Sequence, residues 1–504
     1  MNIKEAKIEI SNTLRAYLAK DLYGNYRIPP VRQRPVLLMG PPGVGKTQIM
    51  EQIAAETGVG LVAYTITHHT RQSAVGLPFI EAKTYDGVEH HVTEYTMSEI
   101  LASVHELMAR TGIREGILFL DEINCVSETL TPMMLQFLQC KTFGNQPLPE
   151  GWLIVAAGNP PEYNRSVREF DVVTLDRVRR MDVTEDYSVW KEYALRKGLH
   201  GAVISYLDIK KDNFYRIETT ADGPQFATAR GWEDLSELIY AYEALGLQAD
   251  RSVVGEYIQL PRIAKDFANY LQLYYKYRKT YHVEEILSGS YPAVTASEFR
   301  AAPFDEKLSV MGLLLSRLGE AARAVRKQDA VTGALHGSLT AFKERIAAQA
   351  PQSALAELIA QRQEAMRVAR EAGHLNAESR ELCQRELTVL DACLGALREA
   401  DIVDADAAMR EVRTRFAAVV ETRKSLGEET GALFDHAFAF LEDAIGESQE
   451  LVLFVTELTA GYDTSWFVEN FGCEAYFRHN KALLLDETHE RILREIEKGR
   501  LEDL

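Results

Sequence analysis

The chain has 504 residues, more than one hydrophobic core supports, so two or three domains are expected. Hydrophobic residues make up 46% and charged residues 26%, with no low-complexity tract, which excludes a disordered or fibrous chain. Acidic residues outnumber basic ones by 74 to 56, and the resulting net charge of −18 makes nucleic acid a poor partner.

Five cysteines (Cys125, Cys140, Cys383, Cys393, Cys473) lie without C-x-x-C spacing, which argues against a disulfide framework or a zinc site and suits reduced thiols in the cytoplasm. Met1-Asn2-Ile3-Lys4 opens an amphipathic stretch without a signal-type apolar core, and no apolar run approaches the ~20 residues of a membrane span. Val36-Leu37-Leu38-Met39 then reads as a buried strand, and Gln48 to Ala55 as a helix. Between them stand Gly40, Pro41, Pro42, Gly43, Val44, Gly45, Lys46 and Thr47, the sequence of a phosphate-binding loop. Glycines let backbone N–H groups converge on phosphate oxygens, Lys46 can reach the terminal phosphates, and Thr47 can hold Mg²⁺. ATP and Mg²⁺ are therefore the expected ligands, with Gln48 at the loop's end also in the binding set.

A second strand, Leu61 to Ile66, precedes a hairpin from Phe79 to Tyr95 whose Tyr85-Asp86-Gly87-Val88 carries a type I′ turn signal, and a helix from Ser98 to Ala109. The pairs His68-His69 and His90-His91 suggest a metal, but adjacent strand residues point to opposite faces. Gly116 to Leu120 reads as a buried strand with Asp121-Glu122 at its carboxyl end, where parallel sheets place ligand chemistry. There Asp121 would hold the metal and Glu122 would polarise the attacking water; taken alone, such a pair also suits a helix N-cap. Thr142 to Trp152, with Gly144-Asn145, predicts another hairpin. The strand Leu153 to Ala157 leads to Gly158-Asn159-Pro160, which sets the Asn159 amide at the same sheet edge, although Gly-Asn and Asn-Pro are also ordinary turn formers. Thr174-Leu175-Asp176-Arg177-Val178-Arg179-Arg180 gathers three arginines before a short strand around Met181 to Val183. The cluster fits an arginine finger or a solvated basic face.

Taken in order, GPPGVGKT, ILFLDEIN, AAGNPPEY and TLDRVRR resemble the MoxR-type branch of the AAA+ ATPases over roughly the first 280 residues. The resemblance implies that Glu122 activates water, that Asn159 is the sensor 1 residue, and that Arg177 acts in the neighbouring subunit. Val178 stands where the family has phenylalanine, so Arg179 or Arg180 could take or share that role. The two hairpins fall where MoxR relatives carry their helix 2 insertion and the hairpin before sensor 1. Further on, Thr228 reads as the N-cap of a helix with Arg230 in its first turn, where the helix dipole disfavours a cation and bound phosphate would offset that cost. That fits the family's sensor 2 arginine on the lid, with Ala229 in place of the family proline.

From about Asp305 helical periodicity takes over, with breaks expected at Gly373-His374, around Asp401 to Asp404, at Gly427 and at Gly461. Cys383, Leu387, Leu390, Leu394 and Leu397 form one apolar seam; Ala405, Met409, Val412, Phe416 and Val419 form another. Both suit a helical bundle core and are too short for a long rod. The aromatic stretch Tyr462 to Phe477 is core or a recognition surface. The expected architecture is an α/β AAA+ core, a parallel sheet with helices on both faces, over 1–185, a small helical lid over 186–291 and a C-terminal all-α bundle over 292–504 that selects a partner. By resemblance, the protein is expected to be an ATPase that assembles into a ring, expected to be a hexamer, and remodels a protein such as a von Willebrand factor A domain partner. A nucleotide-gated adaptor and a DNA-associated motor are the other classes, the second disfavoured by the charge.

Overall fold

The computed structural model describes residues 1–68, 76–143, 146–163, 167, 170–220 and 223–481; His69 and the Gly144-Asn145 turn lie outside the described residues. The chain divides into two compact units, 1–189 with 359–387, and 190–358 with 388–504. Among the described residues no helix is long and apolar enough to cross a membrane.

The first unit is built on five strands, β1 (Val36–Met39), β2 (Gly60–Thr65), β3 (Gly116–Asp121), β4 (Trp152–Gly158) and β5 (Arg179–Asp182). They lie in the order β2-β3-β4-β1-β5, and every pairing is parallel. Helices cover both faces, which is why the strands are continuous apolar runs rather than alternating ones. On one face Val36, Leu38, Phe119 and Val155 pack with α1 (Ile3–Leu18) and α2 (Lys46–Thr57), which contribute Ile10, Leu14, Ile49 and Ile53. On the other, Leu37, Leu118, Leu120 and Ile154 meet α3 (Glu99–Thr111) and α4 (Thr131–Cys140) through Leu101, Val104, Met134 and Phe137. A parallel sheet presents all its strand carboxyl ends on one rim, and here β1 to β4 converge there.

The hairpin between β2 and α3 pairs Pro78–Tyr85 with Val88–Tyr95, and its turn places Asp86 and Gly87 at φ of 51° and 81°, the two left-handed residues a type I′ turn requires. It is an exposed ribbon that keeps Phe79, Ile80 and Val88 on its surface. The second hairpin is short, Thr142–Phe143 against Gln146–Pro147.

Among the described residues the second unit is helical apart from one hairpin, Arg216–Thr220 with Gly223–Ala227, which sequence reasoning missed. Two helices are far longer than the apolar seams suggest: Phe304–Arg345 has 42 residues and Ala405–Ile445 has 41, each about 60 Å of rod. The expectation that no long rod forms is corrected, because the half-buried seam from Ala405 to Val419 covers only the first part of a helix that continues through Phe434, Phe438 and Leu441 into a deeper core. The expected break at Gly427 is corrected as well. Gly427 sits inside that helix, where a Cβ would overlap the Phe471 ring, so this glycine permits close packing rather than ending the helix. The breaks near Gly373, Asp401 to Asp404 and Gly461 fall between helices as expected. The aromatic stretch divides: Phe467, stacked on Phe434 at 5.0 Å, and Tyr476 are buried, Trp466 and Phe471 are half-buried, and Tyr462 and Phe477 are exposed.

Candidate functional site

Four neighbouring strands deliver the site. Beyond β1 the loop turns through Gly43 and Gly45 at φ of 76° and 92°, a left-handed path that suits glycine. A Cβ on Gly40 would lie 2.8 Å from the Val183 carbonyl oxygen, so glycine there lets the loop start flush against the segment after β5. Helix α2 begins at Lys46, two residues earlier than the sequence suggests, with Gly45 as an N-cap that no side chain closes. Its amino-terminal dipole faces the loop's concavity and favours anionic oxygens.

Lys46 is buried, and its ammonium donates to the Gly40 carbonyl at 2.8 Å, the Pro41 carbonyl at 2.9 Å and Asn159 Oδ1 at 3.0 Å. The phosphate-loop lysine and the amide after β4 are thus in direct contact, 113 residues apart in sequence. Thr47 Oγ1 donates to Asp121 Oδ2 at 3.0 Å, which pairs the two expected metal-binding oxygens. Glu122 follows in a left-handed conformation, φ 57°, rare for a non-glycine residue and costing about 1–3 kcal/mol. Its N–H donates to Asp121 Oδ1 at 2.9 Å, and its Oε2 accepts from Thr67 Oγ1 at 2.9 Å.

Two functional side chains were not found from sequence. Thr67 lies just past β2 and engages the Glu122 carboxylate; the one available signal was that the second predicted strand ends at the same rim. Asn124 is buried and bridges β3 to β4, donating from Nδ2 to the Asn159 carbonyl at 2.8 Å and accepting from the Asn159 N–H at 3.3 Å. A Cβ on Gly158 would lie 2.5 Å from Asn124 Oδ1, so the glycine before Asn159 makes room for the residue that positions it.

The three candidate arginines part company. Arg179 is drawn to helix α1, donating to Glu9 and Thr13, and Arg180 Nε donates to Asp182 Oδ1 at 2.9 Å. Arg177 is exposed and donates to a neutral amide, Gln139. The short turn before it, Val172–Leu175, is capped by Asp171, whose Oδ1 accepts from the Thr174 N–H at 2.7 Å. Hydrogen bonds from Thr174, with a smaller contribution from the Arg177 charge, hold the Asp171 carboxyl below its ordinary value. Val178, in the family's phenylalanine position, is buried in the core. Arg230 belongs to the second unit, exposed in the first turn of helix Ala229–Ala244, and Thr228 is the N-cap, accepting from the Gly231 N–H at 3.2 Å.

A glycine cradle, a buried ammonium and a hydroxyl–carboxylate pair fit a Mg²⁺-bound nucleoside triphosphate: the loop from Gly40 to Gln48 would hold the phosphates, and Thr47 with Asp121 the metal.

Residues 35–178 match the family model for the AAA domain of the dynein-related subfamily. Among curated proteins, the chain is similar to ATPase family gene 2 protein homolog B, 36% identical to the Bos taurus protein and 34% to that of Mus musculus, each over 93 residues. These matches cover 18% of this chain and 10% of each relative, so the chain spans about a tenth of the length of the curated relatives it matches. A RuvB mutant of Thermotoga maritima aligns at 14% identity over 51% of this chain and 69% of its own, with a TM-score of 0.27. Over residues 35–178 the chain is therefore an AAA domain of the AAA+ ATPase type.

Proposed function

We propose that the chain is an ATP-hydrolysing remodelling ATPase of the MoxR type that works as a ring, expected to be a hexamer, on a protein partner. The observation that carries this reading is the hydrogen-bonded set of Lys46, Thr47, Asp121, Glu122 and Asn159 on one rim of the parallel sheet. Lys46 neutralises the terminal phosphates, and Asn159, held by Asn124, orients the γ-phosphate end. Glu122, one of whose carboxylate oxygens accepts from Thr67, takes the proton of the attacking water. Mg²⁺ bound at Thr47 and Asp121 would screen the charge that develops on the phosphate oxygens.

Arg177 is the arginine best suited to a neighbouring subunit's site. Arg179 and Arg180 are paired with carboxylates of their own unit, whereas Arg177 is exposed and has a neutral partner that costs little to leave. Arg230, exposed in the first turn of helix Ala229–Ala244 in the lid segment 186–291, is by resemblance the candidate for a second phosphate-sensing arginine. The resemblance makes a von Willebrand factor A domain protein the first partner to test, bound through the helices of 292–504. Five free thiols suit the cytoplasm.

The test compares steady-state ATPase rates of the wild type, Glu122→Gln, Arg177→Ala and an equimolar mixture of the two variants. Each variant alone should be slowed, Arg177→Ala by about 10³-fold or more with nucleotide affinity retained, and the mixture should recover part of the rate. Equal turnover by wild type and Glu122→Gln would favour a nucleotide-gated adaptor; absence of recovery would mean that Arg177 does not act in trans.

A further inference from the structure

In the second unit the helix Gly201–Ile209 and the turn Lys211–Asn213 meet the start of helix Pro261–Thr280 and bound an open cavity of about 870 Å³. Its lining carries five cations, in a protein whose net charge is −18. Two are engaged: Lys210 bonds Asp266, and Arg216 pairs with Glu218 at 2.9 Å. The other three, Lys211, Arg262 and Lys265, are exposed and have no ion-pair partner among the described residues. Of the acidic lining residues, Asp208 pairs at 2.8 Å with Lys191, which it shares with Glu457, and Asp266 accepts from both Lys210 and Tyr206; among the described lining residues Asp212 is left to oppose the three unpaired cations.

We propose that this cavity is a docking site for an acidic segment of a protein partner, bound by Lys211, Arg262 and Lys265. Three features favour acidic side chains over a nucleic-acid backbone. The cations are interleaved with carboxylates, a pattern that matches spaced acidic residues and not a continuous phosphate chain. Among the described residues no aromatic ring lines the cavity, which leaves no platform there on which bases could stack. The acidic remainder of the molecule repels a long polyanion but tolerates a short anionic segment that ends within the cavity. The cavity uses none of the residues assigned to nucleotide chemistry, so it can stand or fall independently of the ATPase reading.

Fluorescence anisotropy on the full-length protein tests the assignment with two probes: a labelled peptide of alternating glutamate and glycine, and a labelled oligothymidylate. The peptide should bind at low salt and weaken as salt is raised. The variant Lys211→Glu/Arg262→Glu/Lys265→Glu should weaken it at least about 10-fold. Circular dichroism and retention on immobilised ATP analogue show whether that variant folds. If it does not, Lys211→Ala and Arg262→Gln are measured singly, each expected to weaken the peptide several-fold. Failure of the wild type to bind the peptide, or equal binding by the folded variants, overturns the proposal. Charge-sensitive binding of the oligothymidylate without binding of the peptide overturns it in favour of a nucleic-acid surface.

Discussion

Lys46 holds three acceptors together, two loop carbonyls and the Asn159 amide, so its ammonium organises the loop in addition to its proposed role of countering phosphate charge. Lys46→Ala should weaken nucleotide binding by at least about 100-fold, or about 2.7 kcal/mol, measured by titration calorimetry with an ATP analogue. Thr67 acts on the other side of the site. Its hydroxyl donates to one oxygen of the Glu122 carboxylate, the group proposed for water activation, and this bond draws off electron density and makes the carboxylate a weaker acceptor for the water's proton. Thr67→Ala should therefore raise basal kcat several-fold with nucleotide affinity unchanged, while Thr67→Ser keeps the wild-type rate. A fall in affinity with no change in kcat would assign Thr67 to phosphate binding instead.

Among the elements, the long helices of the second unit are joined by charge as well as by apolar packing. Asp463, buried in the first turn of helix Tyr462–Phe471, accepts from Arg323 Nε at 2.7 Å and Arg326 Nε at 2.6 Å, both on helix Phe304–Arg345. Removing the carboxylate charge takes the Asp463 partner from two partly buried guanidinium groups, and breaking such a pair costs roughly 3–5 kcal/mol. Asp463→Asn should destabilise the second unit by that order in urea unfolding. A midpoint unchanged from wild type would mean that solvent already screens the cluster.

At the scale of the whole molecule, residues 359–387 belong to the first compact unit although they lie far beyond its sheet in sequence. Helices Pro351–Glu371 and Ala377–Glu399 meet in a turn where Ala372 is fully buried, Gly373 lies against Leu61, and His374 Nε2 donates to the carbonyl of Val59, just past the phosphate-loop helix. A protein cut after Tyr291 should thus lose part of its first unit's packing. Its thermal midpoint should fall by several degrees while ATP binding is retained, and His374→Ala in the full chain should cost about 1 kcal/mol. An unchanged midpoint in both would show that the first unit is complete without this turn.

The linear sequence determined the phosphate loop, the Asp121-Glu122 pair, the type I′ turn and the buried strands, because each is a local arrangement: glycines where the chain turns left-handed, apolar runs where both sheet faces are covered, acids at a strand's end. The sequence did not determine that Arg177 bonds a neutral amide while Arg179 and Arg180 bond carboxylates, that Asn124 and Gly158 together position Asn159, or that Thr67 holds Glu122. Those depend on strands brought side by side by a sheet order that does not follow chain order, with Lys46 and Asn159 in contact across 113 residues. Nor could apolar spacing tell a helix break from a packing notch at Gly427, since glycine serves both and only the Phe471 ring against it decides.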